Sequence, residues 1–189
     1  VDEASREYAS YVSIASLNFS RNINDEAAKS EKDYYDSIGP DIQEVYNKLD
    51  QAVDASRFKA DLTEKWGATF LKKIEMELKT FDPKIMDMLR KETELRNEYT
   101  KLTAGAKIEF DGKSYNLAGL GPFHTHEDRD LRKRSYVARS QWFEENANEF
   151  DDLYDKLVKL RHEIAITLGY NNFVELGYLR MGRSDYGPD

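Results

Sequence analysis

The sequence contains no cysteine. That excludes a disulfide framework, a thiolate zinc site, an iron–sulfur cluster and a cysteine nucleophile. Histidine is scarce: His124, His126 and His162 are the whole supply, so an imidazole-based metal or acid–base site has to draw on them. No run approaches the roughly 20 apolar residues that span a bilayer, and the mean hydropathy is −0.77. The opening Val1-Asp2-Glu3 does not read as a basic-then-apolar signal peptide. Cationic excess is missing too. With 28 Lys and Arg against 36 Asp and Glu, the net charge is −8, and a polyanion binder needs a cationic face. These absences predict a soluble, acidic, cytoplasmic protein, and 189 residues suffice for one domain or two small ones.

Proline and glycine are few and unevenly placed, and stretches free of both favour helices. Only Gly39, Pro40, Gly67 and Pro83 precede residue 104; Gly105, Gly112, Gly119, Gly121 and Pro122 follow closely; then residues 123–168 contain neither. The apolar spacing agrees. Ala4, Tyr8, Tyr11, Val12, Ala15 and Phe19 step by three and four, as on one helix face. Residues 25–37 predict a second, more polar helix, and Pro40 fits the first turn of a third carrying Ile42, Val45, Tyr46 and Leu49. Phe58, Leu62, Trp66, Phe70, Ile74 and Leu78 predict a fourth, capped by Asp54 or Ser56. Pro83 opens a fifth with the stripe Ile85, Met88, Leu89, Leu95, Tyr99 and Leu102, which Gly105 should stop.

The period then changes. Two short alternating runs flank Asp111-Gly112, the strongest local hairpin signal, because both turn residues need positive φ. Residues 118–125 read as loop, and Thr125 followed by Asp128 resembles a helix-capping arrangement. From Asp128 the pattern is helical again, and the stripe Phe143, Ala147, Phe150, Tyr154, Leu157, Arg161, Ile164, Leu168 is interrupted only by Arg161. It is one long helix, or two with a break near Asn146–Asn148, ending with Gly169 at the C′ position. Residues 172–180 predict a short helix packed by Phe173, Leu176 and Leu179, and residues 183–189 have no pattern. The fold class is therefore mainly α, a multi-helix lobe with one small β-hairpin near residues 107–117.

Three clusters carry potential chemistry. His162-Glu163 begins like the zinc-peptidase helix motif, but position 166 is Ile where a second imidazole is needed, so a surface histidine is the simpler reading. His124-Thr125-His126-Glu127-Asp128 offers a loop metal site, against a plain helix start with Thr125 capping and acids in the first turn. Arg129, Arg132, Lys133, Arg134 and Arg139 form a basic stretch interleaved with Tyr136 and Trp142. It is a conceivable nucleic-acid groove, but in an acidic chain it reads better as a solvated face paired with Glu127, Asp128, Asp130, Glu144 and Glu145. No catalytic or metal residue emerges.

The last third carries more than periodicity. The string from Asn146 through Asp151-Asp152-Leu153-Tyr154 to Leu168-Gly169-Tyr170, and then Asn172-Phe173-Val174-Glu175-Leu176-Gly177-Tyr178-Leu179-Arg180-Met181-Gly182-Arg183-Ser184-Asp185-Tyr186, resembles the oligoendopeptidase F group of zinc metallopeptidases, within the thimet oligopeptidase (M3) family. The run Glu92 to Leu102, the hairpin ending Tyr115-Asn116-Leu117 and the helix start at Asp128-Arg129 look similar to that group as well. The resemblance implies a two-lobed, mostly helical channel fold acting on short peptides, with a zinc ion in the parent enzyme. It implies that residues 1–105 form a helical N-terminal oligopeptidase region. Residues 106–189 would be the hairpin plus long helices that start the peptidase domain, truncated before the zinc site. No residue present inherits a zinc-ligand or general-base role, so this chain is expected to be inactive, to form channel wall and substrate-size filter, and to partner a missing C-terminal catalytic lobe. Nucleic acid and membrane are not expected partners. An exposed apolar surface from Phe173, Leu176, Tyr178, Leu179 and Met181, or self-association that covers it, is an expected consequence. The alternative is a free-standing helical interaction protein without enzymatic activity.

Overall fold

The computed structural model describes residues 2–187, so the tail reading at Pro188 and Asp189 lies outside it. Nine α-helices and one two-stranded antiparallel sheet are formed among the described residues. The helices are α1 Asp2–Arg21, α2 Glu26–Asp54, α3 Lys59–Trp66, α4 Ala68–Leu78, α5 Met86–Ala104, α6 Gly121–His124, α7 Arg129–Glu145, α8 Ala147–Thr167 and α9 Phe173–Arg180. The strands are β1 Ile108–Phe110 and β2 Lys113–Tyr115. None of these helices is long and apolar enough to cross a membrane. The chain forms two compact units: residues up to Tyr35 with Glu94–Lys156, and Asp36–Thr93 with the chain from Leu157 onward.

In the first unit, α2 starts where Asp25 accepts the Ala27 and Ala28 amides at 3.0 and 3.1 Å. The hairpin forms at the Asp-Gly pair, with Asp111 at φ 50° and Gly112 at φ 77°. Its register sets Ile108 opposite Tyr115 and Phe110 opposite Lys113, so alternate residues of β1 turn inward. Ile108, Phe110, Ala106, Leu120 and Trp142 form the core, flanked by Phe123, Phe143 and Phe150. Gly105 follows α5 as expected, but for a different reason. Its φ is not positive; a Cβ there would meet the Lys101 carbonyl at 2.9 Å. The segment expected as loop contains the short helix α6, which Pro122 helps to start. Thr125 does not cap α7, since its hydroxyl donates back to the Pro122 carbonyl at 3.5 Å. Asp128 is the cap, accepting the Asp130 and Leu131 amides at 2.8 and 3.3 Å. The break before α8 falls at Asn146, whose side-chain Nδ2 donates to the Trp142 carbonyl at 2.7 Å.

Two boundaries in the second unit differ from the pattern. The helix expected to begin at Pro40 is the continuation of α2, which passes through that residue. An interior proline costs about 3 kcal/mol because it has no N–H and its ring crowds the preceding turn. Pro40 is buried, and Arg90 braces the turn by donating to the Ser37 carbonyl at 3.4 Å and to Asp41 at 3.1 Å. Conversely, the stripe from Phe58 to Leu78 is not one helix: Gly67, at φ 83°, separates α3 from α4. Phe58 is the residue before α3, and Ser56 accepts its amide at 3.2 Å rather than capping the helix itself. Asp82 accepts the Lys84 amide at 2.9 Å and launches a 3-10 turn, Pro83–Ile85, that runs into α5. Ile85, Ile164 and Leu176 are completely buried.

Candidate functional site

A helix stripe normally excludes charge from its buried face, because an unpaired ion there is costly. Glu92 lies on the stripe of α5 between Leu89 and Leu95 and is only 4% exposed. Its two oxygens are divided between two arginines. Arg161 of α8 donates Nε to Oε1 at 2.7 Å, and Arg180 of α9 donates Nη2 to Oε2 at 2.7 Å. Both guanidinium carbons lie 5.8 Å from the centre of the Phe173 ring. The arginine side chains keep 36% and 29% of their surface exposed.

Local structure places each group. α8 ends in a Schellman turn, in which Gly169, at φ 94°, donates to the Ile166 carbonyl at 3.0 Å and Tyr170 donates to Ala165 at 2.9 Å. The Tyr170 hydroxyl donates to the Lys79 carbonyl at 2.9 Å, fixing the turn against the end of α4. Asn172 then caps α9 by accepting the Val174 amide at 2.8 Å. Gly177 lies close under the Phe173 ring, where a Cβ would come within 3.3 Å of Cε1. A second glycine turn at Gly182, φ 67°, stops α9 just beyond Arg180.

Burial pushes the Glu92 carboxyl upward, but the Arg180 charge and the hydrogen bonds from Arg161 and Arg180 outweigh it and hold the group below its usual range. At neutral pH the carboxylate is ionised and accepts only, which suits it to holding cations in place and not to general acid or base work. Because its folded-state pKa is depressed, its stabilising contribution is complete above the ordinary glutamate range and is lost as pH falls through the lowered value. The urea midpoint of the native chain should therefore exceed that of Glu92→Gln at pH 7. The gap should close on acidification towards pH ~3, below the ordinary glutamate pKa; parallel pH profiles would contradict this.

Among the described residues, neither the three histidines nor the arginines of the basic stretch bond to Glu92. His124 stacks on Tyr136 with centroids 4.2 Å apart, and its Nε2 is buried without a hydrogen-bond partner. His126 accepts the Asp128 amide at Nδ1, 3.1 Å away. His162 is exposed on α8. Among the described residues no three His, Cys, Asp or Glu converge as metal ligands, so the residues present do not fit a zinc site. The basic stretch is partly tied down locally. Arg132 donates to the His126 and Glu127 carbonyls, Arg134 meets Asp111 at 3.6 Å, and Arg139 lies over the Phe143 ring at 4.9 Å. Arg134 thus pairs with the hairpin turn, and its charge also acts on Asp128, one of the acids expected to pair with the basic stretch. Asp128 is held below the usual carboxylate range by the Leu131 and Asp130 amides. The expected apolar surface near α9 is also corrected. Leu176 is wholly buried, Phe173, Tyr178 and Leu179 are half-buried, and only Met181 is exposed, because α9 turns Leu176 into the core and packs against α4.

Comparison with known proteins gives these residues a context. The model of the Peptidase M3 N-terminal domain matches residues 1–81. A solved structure assigned to oligoendopeptidase F is 41% identical, with a TM-score of 0.90, over 99% of this chain and 33% of its own. PZ peptidase A, solved with an inhibitor, is 44% identical over 93% of this chain and 31% of its own, with a TM-score of 0.84. A structure from Bacillus anthracis str. Ames, also assigned to oligoendopeptidase F, is 35% identical over 99% of this chain and 34% of its own, with a TM-score of 0.88. No curated protein matches. The chain therefore spans about a third of the solved proteins it matches. Its first 81 residues match the Peptidase M3 N-terminal domain and nearly its whole length is similar to about a third of each of these peptidases, which supports an N-terminal fragment of an M3-family oligoendopeptidase.

Proposed function

We propose that this chain is the N-terminal, non-catalytic part of a zinc metallo-endopeptidase that hydrolyses short peptides in the cytoplasm. The observation that carries this reading is the 41% identity over 99% of the chain to one third of a structure assigned to oligoendopeptidase F. In it, residues 1–105 belong to the helical N-terminal region and residues 106–189 begin the peptidase domain. The chain contributes channel wall and size selection, and the metal and its base lie in the portion that it does not span. A quenched fluorescent peptide tests the assignment. The longer protein should cleave it in a chelator-sensitive manner, and should spare the same sequence inside a folded domain. The 189-residue chain alone, with added zinc, should give no turnover above background. Absence of cleavage by the longer protein would overturn the peptidase reading, and chelator-sensitive turnover by this chain alone would overturn the division of labour.

A further inference from the structure

The charge balance around Glu92 is uneven: one carboxylate faces two guanidinium groups. A guanidinium carries five N–H donors in a planar fork. Arg161 spends Nε on Glu92 and Arg180 spends one Nη2 donor, and neither makes another hydrogen bond among the described residues. The two side chains remain 36% and 29% exposed, so the unused donors are open to solvent. They are not loose. Each is anchored to the same buried carboxylate and flanks the same Phe173 ring, which keeps the two forks within one carboxylate width and two hydrogen bonds of each other. Fixed, partly dehydrated and carrying one net positive charge, such a pair is preorganised for a planar oxyanion.

We propose that the free edges of Arg161 and Arg180 form a carboxylate-binding site for a short peptide, taking its C-terminal carboxylate or an acidic side chain. Glu92 is the positioning residue: it neutralises one charge and aims both forks. The choice of a peptide as ligand rests on the oligopeptidase reading; the carboxylate chemistry does not.

The test uses the 189-residue chain and follows the arginine Nε–H signals by NMR. The titrants are a tripeptide free acid, its C-terminal amide, the amide carrying an internal Glu, and acetate. The free acid should shift the Arg161 and Arg180 signals saturably, and removing its only carboxylate should weaken binding by about tenfold or more. If the Glu-containing amide binds as well as the free acid, the side-chain carboxylate is the source; if it binds like the plain amide, the terminus is. Equal shifts by free acid and plain amide, or no shift of either arginine, would overturn the site. Arg180→Gln, with the rest of the spectrum unchanged, should abolish the difference between acid and amide. If the longer protein cleaves peptides while acid and amide bind alike, only this inference falls. If acetate and free acid both shift the signals but the longer protein cleaves nothing, the carboxylate site stands and the peptidase reading falls.

Discussion

Replacing both Arg161 and Arg180 with Met should destabilise the chain by about 3–5 kcal/mol at neutral pH, the cost of leaving a buried charge without its partners. Glu92 is 4% exposed, and no other ion pair to it is formed among the described residues. Set against a typical total stability of roughly 5–15 kcal/mol, this is a large fraction. The loss should fade in acid. Without the two cations, burial alone acts on Glu92 and raises its folded-state pKa, so the penalty is full above that raised value and disappears below the ordinary glutamate range. Adding Glu92→Leu to the double variant should restore most of the loss at pH 7, because an apolar group of similar size carries no charge to desolvate. Urea denaturation of the native chain and the two variants at two pH values measures this. A double variant as stable as the native chain at neutral pH, or a triple variant as damaged as the double, would show that the ion pairs do not support Glu92.

Leu120→Ala should cost about 2–5 kcal/mol, from lost burial and the cavity left behind. Leu120 is completely buried among Ile108, Phe110 and Trp142. The sequence has two tryptophans, and Trp66 is 61% exposed whereas Trp142 is 8% exposed. In a Trp66→Phe background, emission therefore reports the hairpin core alone. The expected result is a lower urea midpoint and a red-shifted native-state spectrum. An unchanged midpoint would mean that the hairpin core adds little stability to its unit.

Local rules made much of this fold legible. Asp111-Gly112 fixes turn and register together, because few other pairs accept positive φ at both positions. Gly169 sits where a helix end needs a left-handed residue. The failures occur where a local preference met a tertiary one. Pro40 looks like a helix start, yet α2 runs through it with Arg90 bracing the turn. The stripe across Gly67 keeps its period, so hydrophobic spacing alone does not reveal the helix break there. The site was half visible. Arg161 was evident as the one charge interrupting the α8 stripe, and Glu92 interrupts the α5 stripe in the same way. Two opposite charges at core positions of different helices are a signal for a buried pair. Arg180 carries no such mark, because it ends a short helix where a basic residue is ordinary.

Each compact unit is built from two stretches separated along the chain. During synthesis, α1 is made well before Lys156, the last residue its unit requires. At roughly 5–20 residues per second, the intervening ~135 residues take about 7–27 s to translate. For that interval Ala15 and Phe19, buried in the finished protein, have only part of their unit to fold with. The nascent chain therefore presents an amphipathic helix to chaperones before its own unit can close over it, and slowing translation beyond residue 93 would lengthen that exposure.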